Sequence, residues 1–218
     1  MGQLNEPDYP DTLPVFPLTG VLLLPGGNLP LNIFEPRYLA MVDDALRTNR
    51  LIGMIQPDAS KAEGQHGPAL YRAGCAGRIT AFQELEDGRY LMTLTGKKRF
   101  EVKDELDTIR GYRRVRPDWS TFQDVPGKPN LCIDIDREKL HALLKSYFHK
   151  EGMACEWELL AATPDQYLIT TLAMICPFEP QDKQALLEAT DCKARGALFM
   201  ELLDMAIKGC DGKCSSTH

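Results

Sequence analysis

Proline interrupts the apolar runs near the start of this chain, and this pattern restricts the fold more than any other feature. Three short apolar runs typical of β-strands cover residues 13–18, 21–24 and 29–34. Prolines stand in or beside these runs at positions 14, 17, 25 and 30. Proline cannot donate a ladder hydrogen bond, so it is confined to edge strands, strand ends and bulges. We therefore expect an irregular, barrel-like sheet, with Pro25-Gly26-Gly27-Asn28 forming a turn.

One helix interrupts this strand-rich half. Its apolar stripe consists of Tyr38, Met41, Val42, Ala45 and Leu46, which follow a helical period. Proline at position 36 suits the first turn of a helix. Further strands are predicted at residues 51–55, 70–85, 90–96, 99–102 and 112–116, with an Asp-Gly hairpin at residues 86–89. The β-rich part, with its helix near residues 37–48, thus extends over residues 1–120.

The apolar period becomes helical after a Pro- and Gly-containing segment at residues 117–129. Helices are predicted around residues 140–148, 167–175 and 183–189 and over residues 192–208, the last ended by Gly209. Thr163-Pro164-Asp165-Gln166 has the pattern of a capping box. The expected fold class is α+β, with a helical part at residues 121–208 and a flexible tail at residues 209–218.

Charge and cysteine content narrow the function classes. A formal net charge of −6 disfavours bulk attraction to nucleic acid or anionic membranes. The amino-terminal residues do not resemble a signal peptide, no apolar stretch is long enough to span a bilayer, and the expected location is cytoplasmic. Seven scattered cysteines suggest reduced thiols. Cys210, Cys214 and His218 supply at most three metal ligands, one fewer than a closed zinc site needs, so a metal there stays an open alternative.

The sequence lacks the signatures of common enzyme classes. None of the five serines lies in a G-x-S-x-G elbow, and no histidine pair has the H-E-x-x-H spacing. Gly96-Lys97-Lys98 lacks both the upstream glycine and the following hydroxyl residue of a phosphate-binding loop. We therefore expect no catalytic residues, no cofactor and no enzymatic activity.

The most specific motif is Pro30-Leu31-Asn32-Ile33-Phe34-Glu35-Pro36-Arg37-Tyr38, preceded by Leu13-Pro14-Val15-Phe16-Pro17-Leu18. These segments resemble the opening of the amino-terminal, substrate-binding domain of Lon proteases. The similarity continues in order through residues 53–57, 74–79, 89–96, 99–100, 186–188 and 195. It covers roughly residues 12–208, nearly the whole chain.

The resemblance implies a PUA-like pseudo-barrel packed on a small helical bundle. It also implies a role in recognising unfolded or tagged protein substrates and in assembling oligomers, so polypeptide clients or a protein partner are the expected partners and weak homo-oligomerisation is left open. Lon proteases continue into an ATPase and a Ser-Lys peptidase, whereas this sequence ends at His218. The expected function is therefore a non-catalytic protein-binding module or adaptor.

We assign an architectural role to most of the motif. Pro30 and Pro36 fix the backbone direction, Phe34 and Tyr38 are expected to enter the core, and Glu35 and Arg37 to cap or bridge the helix start. Binding contacts are expected instead in two exposed loops, because loops on a rigid sheet commonly carry function. The candidate binding residues in these loops are Gly26, Gly27, Asn28, Gln56 and Pro57, the last two beginning a loop at residues 56–68.

RNA binding is the alternative function, since other PUA-like folds serve that purpose. A basic strip is formed by Lys97, Lys98, Arg99, Arg110, Arg113, Arg114 and Arg116. Aromatic side chains at positions 100, 112 and 119 could stack on bases. Acidic residues at positions 101, 104, 105 and 107 are interspersed and should neutralise much of the strip.

Overall fold

The computed structural model describes residues 9–122 and 135–209. The strands are β1 (Leu13–Pro17), β2 (Asn28–Ile33), β3 (Leu51–Pro57), β4 (Leu70–Glu84), β5 (Tyr90–Ile109) and β6 (Tyr112–Asp118). They form one mixed sheet in the order β2-β5-β4-β3-β1-β6, and an additional β5–β6 pairing closes most of it into a barrel. The predicted pseudo-barrel of the α+β class is therefore confirmed.

The long strand β5 takes part in two parts of the sheet. Its first part pairs with β2 and β4, and its second part pairs with β4 and β6. The β4–β5 register shifts between the pairs Gly77↔Gly96 and Ala76↔Lys98, so a bulge at this point bends the strand. As a result β2 lies outside the closed ring, as the edge strand of the sheet.

The prolines in the strands avoid the loss of a ladder hydrogen bond in different ways. Pro30 lies in edge strand β2, as expected. Strand β1, in contrast, lies between β3 and β6, so the expectation of an edge position is wrong for Pro14 and Pro17. Each of them still has only one strand neighbour, because Pro14 pairs with β6 alone and Pro17 with β3 alone. The second predicted run, residues 21–24, is a buried connection rather than a strand.

The helices are α1 (Pro36–Leu46), α2 (Arg137–Glu151), α3 (Trp157–Ala162), α4 (Asp165–Ile175), α5 (Pro180–Glu188) and α6 (Cys192–Lys208). Helix α6 has its predicted bounds, whereas α3 was not predicted because its six residues are too few to establish a period. The predicted capping box is wrong. Thr163 ends α3 and donates to the Leu159 carbonyl, and Pro164 precedes α4 without a side-chain cap.

Sheet and helices share a core. One buried cluster joins Leu23 and Met54 of the β-rich half to Leu144, Leu172 and Phe199 of the bundle. A second cluster fills the barrel and is built around Phe100. Polar groups reinforce the contact, since the buried guanidinium of Arg99 in β5 donates to the carbonyls of Leu187 and Ala189 at the end of α5.

The cysteines only partly match their predicted state. Cys75 and Cys176 are buried free thiols, and Cys155 is a half-buried free thiol. Cys192 is disulfide-bonded, so the expectation of reduced cysteines is wrong for that residue, because spacing along a chain does not reveal which thiols the fold brings together. The proposed metal ligands Cys210, Cys214 and His218 lie outside the described residues.

Candidate functional site

A shallow groove crosses the outer face of β2, β5 and β4 near the hairpin that joins the last two strands. The strand register builds it from two cross-strand rows. The first row is Pro30, Thr93 and Ala81, and the second is Asn32, Leu91 and Gln83. With the intervening Leu31, Met92 and Phe82 these residues enclose about 470 Å³.

The groove has no charged side chain among its nine lining residues. This composition is unusual for a chain in which 26% of residues are charged. Leu91 in the second row is 40% exposed. Phe34, directly after β2, exposes 64% of its surface. Apolar groups that are open to water and not interrupted by charge are typical of a surface that binds apolar partners.

The groove borders the open edge of the sheet. Strand β2 pairs with β5 on one side, and no described residue pairs with its other side. The strand also carries no charged side chain, only Asn, Leu, Pro and Ile. Charged residues or prolines normally protect an exposed sheet edge from other chains. Within β2, Pro30 is the residue of this kind.

The predicted residues at positions 26–28 lie where the chain enters β2. Gly26 is exposed and adopts a φ of +84°, which explains the glycine. Gly27 is buried, and a Cβ placed there would lie 2.2 Å from the sulfur of Met174 in α4. Asn28 is exposed on the same face as the groove, where its side-chain oxygen accepts a hydrogen bond from Thr95 Oγ1 at 2.7 Å. Of the three, Asn28 lies beside the groove and Gly27 packs against the bundle.

Gln56 and Pro57 lie elsewhere than expected. Both residues belong to β3, and the side chain of Gln56 is only 2% exposed, so its assignment to an exposed loop is wrong. Its oxygen accepts from the Gly20 N–H at 2.9 Å, and its nitrogen donates to the Pro180 carbonyl at 2.9 Å and to Gln184 Oε1 at 3.2 Å. The polar side chain of Gln56 is typical of a loop, and this led to the wrong prediction. In the structure this side chain bonds to buried backbone groups between the sheet and the bundle.

The motif at residues 34–38 is divided between core and surface. Tyr38 is buried and stacks on Phe16, with ring centroids 4.3 Å apart, as expected of a core residue. Phe34 is exposed, so its predicted place in the core is wrong, because the chain turns from β2 into α1 at this point. Arg37 and Glu35 form the predicted ion pair at 2.8 Å, although Glu35 makes no side-chain cap.

The basic strip is largely neutralised by local ion pairs. Arg113 is buried and binds Glu105 through two nitrogens, at 2.6 and 2.8 Å. Arg116 pairs with an aspartate on β5 at 2.9 Å, and Arg110 pairs with an aspartate of α1 at 2.7 Å. Arg99 is directed into the protein rather than toward solvent. Carboxylates therefore neutralise three of the seven residues of the strip, Arg110, Arg113 and Arg116, and two of these partners, Glu105 and Asp104, are acidic residues that the sequence indicated.

Hydroxyl and carboxylate groups that lie close together have local structural roles. Ser60 and Ser120 each donate to the aspartate two residues earlier, Asp58 and Asp118, at 2.6 Å. Hydrogen bonds from Ser120 lower the pKa of Asp118 to about 2, which keeps this carboxylate an acceptor at neutral pH. In residues 9–122 and 135–209, no group of three His, Cys, Asp or Glu side chains is arranged to hold a metal ion.

A second hollow of about 400 Å³ lies in the bundle between α2, α3 and α4. It is lined by Leu140, Leu160, Ala161 and Leu168, with His141 and two charged residues at its rim. One of these, Arg137, is already bound to Asp165 and to two carbonyls. Leu159 of α3 is 64% exposed on this half of the molecule.

Sequence reasoning missed the groove residues on β4 and β5. The Asp-Gly hairpin was predicted, and it places Gln83 opposite Leu91 by local geometry. An exposed Leu91 among outward threonines was therefore a usable signal. The third strand could not be anticipated, because β2 pairs with a segment about sixty residues away and no local rule specifies that pairing.

Comparison with protein families gives a match over almost the whole chain. The family model described as the ATP-dependent protease La (LON) substrate-binding domain matches residues 12–205. Lon protease 2 of Myxococcus xanthus is 29% identical over 206 residues, covering 93% of this chain and 24% of that protein. Lon protease of Anaeromyxobacter dehalogenans is 27% identical over 205 residues, again 24% of its length. This chain thus spans about a quarter of the curated relatives that it matches.

Solved structures of Lon N-terminal domains are also similar to this chain. The crystal structure of a Lon N-terminal domain protein from Xanthomonas campestris is 25% identical, with a TM-score of 0.60, and the match covers 87% of this chain and 97% of that one. The N-terminal domain of Mycobacterium avium complex Lon protease, 16% identical with a TM-score of 0.58, supports the fold. No helix in the described parts of the chain is long and apolar enough to cross a membrane.

Proposed function

This chain belongs to the Lon substrate-binding domain family, and we propose that it is a non-catalytic module that binds polypeptide clients through the groove on β2, β5 and β4. The observation that carries this proposal is the uncharged, partly apolar lining of the groove beside an open strand edge. A polypeptide segment can supply both the apolar side chains and the backbone groups that such a surface lacks.

The family membership supports a substrate-binding role, and the composition of the groove supports its proposed location. Leu91 is exposed by about two fifths, so a client that covers it removes apolar area from water. Ordering a flexible client costs conformational entropy, which offsets much of this gain. We therefore expect weak binding, with a Kd in the micromolar range or above.

We propose no enzymatic step for this chain. The family match covers the substrate-binding domain of Lon proteases and none of their catalytic parts. The serines of the described residues serve local turns or a helix backbone, as with Ser146, which donates to the Ala142 carbonyl. Purified protein should neither hydrolyse ATP nor cleave peptide bonds, and turnover abolished by a point mutation in this chain would contradict the assignment.

A paired substitution tests the location of the site. Leu91→Asp places a charge in the groove, and Leu159→Asp places the same charge on the exposed surface of α3. The ligand is a reduced, carboxymethylated model protein, which stays unfolded in buffer. We expect Leu91→Asp to weaken binding at least about tenfold, because a client would have to desolvate the carboxylate, while Leu159→Asp leaves the Kd within about twofold.

The paired design separates three outcomes. Weakening by Leu159→Asp instead of Leu91→Asp would move the site to the hollow of the bundle. Equal effects of both substitutions would indicate nonspecific hydrophobic association. Absence of binding by the unsubstituted protein at high micromolar concentration would reject the recognition of unfolded clients. Thermal unfolding of both variants should match that of the unsubstituted protein, because both leucines are surface residues.

A further inference from the structure

The open edge of β2 presents a definite pattern of hydrogen-bonding groups. In an antiparallel pair, the N–H and C=O of one residue point to the same side, and successive residues point to opposite sides. The N–H of Gly96 in β5 donates to the Gly27 carbonyl at 2.8 Å, so this carbonyl faces β5, and the N–H of the next residue, Asn28, faces the opposite side. The register then runs without a bulge through β2. The backbone groups of Leu29 and Leu31 therefore face β5, and those of Asn28, Pro30 and Asn32 face the open edge.

Pro30 fits this assignment. Proline has no N–H, so it would cost a ladder bond if it faced β5 and costs none when it faces outward. The edge consequently offers one N–H and one C=O at Asn28, one C=O at Pro30, and one N–H and one C=O at Asn32. None of these groups has a hydrogen-bond partner within residues 9–122 and 135–209.

We propose that the client adds to this edge as an antiparallel strand, forming paired hydrogen bonds with Asn28 and Asn32 and donating one N–H to the Pro30 carbonyl. This inference rests on the proposed function and specifies how the same site recognises its ligand. The client residue opposite Pro30 must carry an N–H, so it is not proline. The residues two positions before and after it face Asn32 and Asn28.

The proline also disfavours a second copy of β2 as the occupant. In a two-fold antiparallel pair centred on Pro30, two prolines would face each other and neither carbonyl would receive a hydrogen. Shifting the centre by one residue places Pro30 opposite Asn28, which leaves the Asn28 carbonyl without a donor. A foreign strand avoids this loss because it can supply the missing N–H. Pro30 therefore acts against self-pairing while leaving the edge open to other chains.

The side chains at the edge determine which strands fit. Leu29 and Leu31 lie half-buried on the inner face of β2, where alternate client residues would pack against them. Pro30 and Asn32 belong to the groove on the outer face. Neither face of β2 carries a charge. The fitting client is an uncharged, extended segment with apolar side chains at alternate positions.

N-methylation of the client tests the hydrogen-bond pattern. Overlapping eight-residue peptides from the carboxymethylated model protein are screened, and the tightest binder is N-methylated at one amide at a time. We expect alternation, with methylation of every second amide weakening binding on the order of tenfold and the intervening positions changing it little. A uniform or irregular profile would overturn the strand-addition mechanism.

A substitution in the protein gives an independent test. Asn32→Pro removes an outward N–H without touching the β5 ladder, and Asn32→Ala removes the same side chain but keeps the N–H. We expect Asn32→Pro to weaken peptide binding on the order of tenfold more than Asn32→Ala does, because only the proline removes the N–H. Equal loss in both variants would assign recognition to the asparagine side chain and reject the backbone mechanism.

Hydrogen exchange of the backbone amides in the unsubstituted protein tests the same mechanism even if Asn32→Pro does not fold. The amides of Asn28 and Asn32 should exchange quickly in the free protein and slowly with saturating peptide, whereas those of Leu29 and Leu31 should be protected in both states. Peptide binding without new protection at Asn28 and Asn32 would reject strand addition and leave the proposed function standing. If neither peptides nor their unfolded parent bind, both proposals fail.

Discussion

Replacing Gln56 with alanine tests whether this residue supports the fold or the binding surface. Its side chain links three parts of the molecule, since it accepts from the Gly20 N–H and donates to the Pro180 carbonyl and to Gln184. The residue is 2% exposed, so bulk water does not replace these bonds after truncation. The substitution should therefore destabilise the contact between sheet and bundle.

The bonding pattern sets the size of the effect. A buried polar group that loses its partner costs about 1–3 kcal/mol. Gln56→Ala leaves the Gly20 N–H without its acceptor. The Pro180 carbonyl is affected less, because it belongs to the first turn of α5 and can still accept a helical hydrogen bond. Gln184 keeps its bonds to the Ala73 carbonyl and to Glu188. We expect a loss of about 1–3 kcal/mol in the free energy of unfolding.

Urea unfolding followed by circular dichroism measures this loss, with Gln83→Ala as the matched control. The side chain of Gln83 is exposed in the groove and makes no hydrogen bond to another described residue, so its truncation should change stability by less than about 0.5 kcal/mol. At temperatures where both variants are folded, Gln56→Ala should bind the unfolded model protein normally. A loss of stability below about 0.5 kcal/mol for Gln56→Ala, or weakened binding with unchanged stability, would refute the structural assignment.

Three further predictions concern stability and nucleic acid. Burial raises the pKa of the Cys176 thiol from 9.0 to about 12. The unfolded chain therefore releases this proton at lower pH than the folded protein, and stability should fall as pH rises above 9, with a smaller decline in Cys176→Ala by calorimetry. Gly96→Ala should cost more than about 2 kcal/mol, because its Cβ would lie 2.0 Å from the Leu24 carbonyl oxygen, whereas Gly27→Ala meets the movable side chain of Met174 and should cost less in urea unfolding. Single-stranded RNA should show no retardation in a gel at about 0.15 M salt, because ion pairs neutralise the basic strip.

Local signals in the sequence account for the elements that were predicted correctly. The hairpin at residues 86–89 follows from Asp87-Gly88, where Gly88 adopts a φ of +80°. Helix α6 has both a capping aspartate, Asp191, whose side chain accepts from the Ala194 N–H, and a following Gly209. Each of these features depends on neighbouring residues, so each can be read without knowing the tertiary structure.

The errors arise where tertiary contacts decide the outcome. The apolar run at residues 21–24 has the composition of a strand, yet it is buried as an irregular connection whose Leu24 carbonyl accepts from the Gly27 N–H. Phe34 is apolar and directly follows the buried Ile33 of β2, but the turn into α1 leaves it in solvent. Gln56 is polar, and its partners come from a helix more than a hundred residues away.

The candidate site was only partly predictable for the same reason. Asn28 was predicted as a binding residue of a loop, and Pro30 as an architectural residue of the motif. The groove exists only because β2 pairs with β5 across the sheet. Hydrophobic alternation indicates which face of one strand is exposed, and it carries no information about which strand lies beside it. The groove therefore became visible only once the register of all three strands was known.

The position of the open edge depends on the helical half of the protein. Gly27, the residue before β2, is buried against Met174 of α4, and Gly26 and Gly27 are bonded to Gly96 of β5. The first residue of the edge strand is thus held between the sheet and the bundle, and the outward direction of Asn28 follows from the bond at Gly27. A change that loosens α4 should disorder the start of β2 before it disturbs the closed barrel, whose strands are paired on both sides. In this fold the bundle would therefore contribute to the proposed recognition by fixing the edge strand, even though the groove itself contains no helical residue.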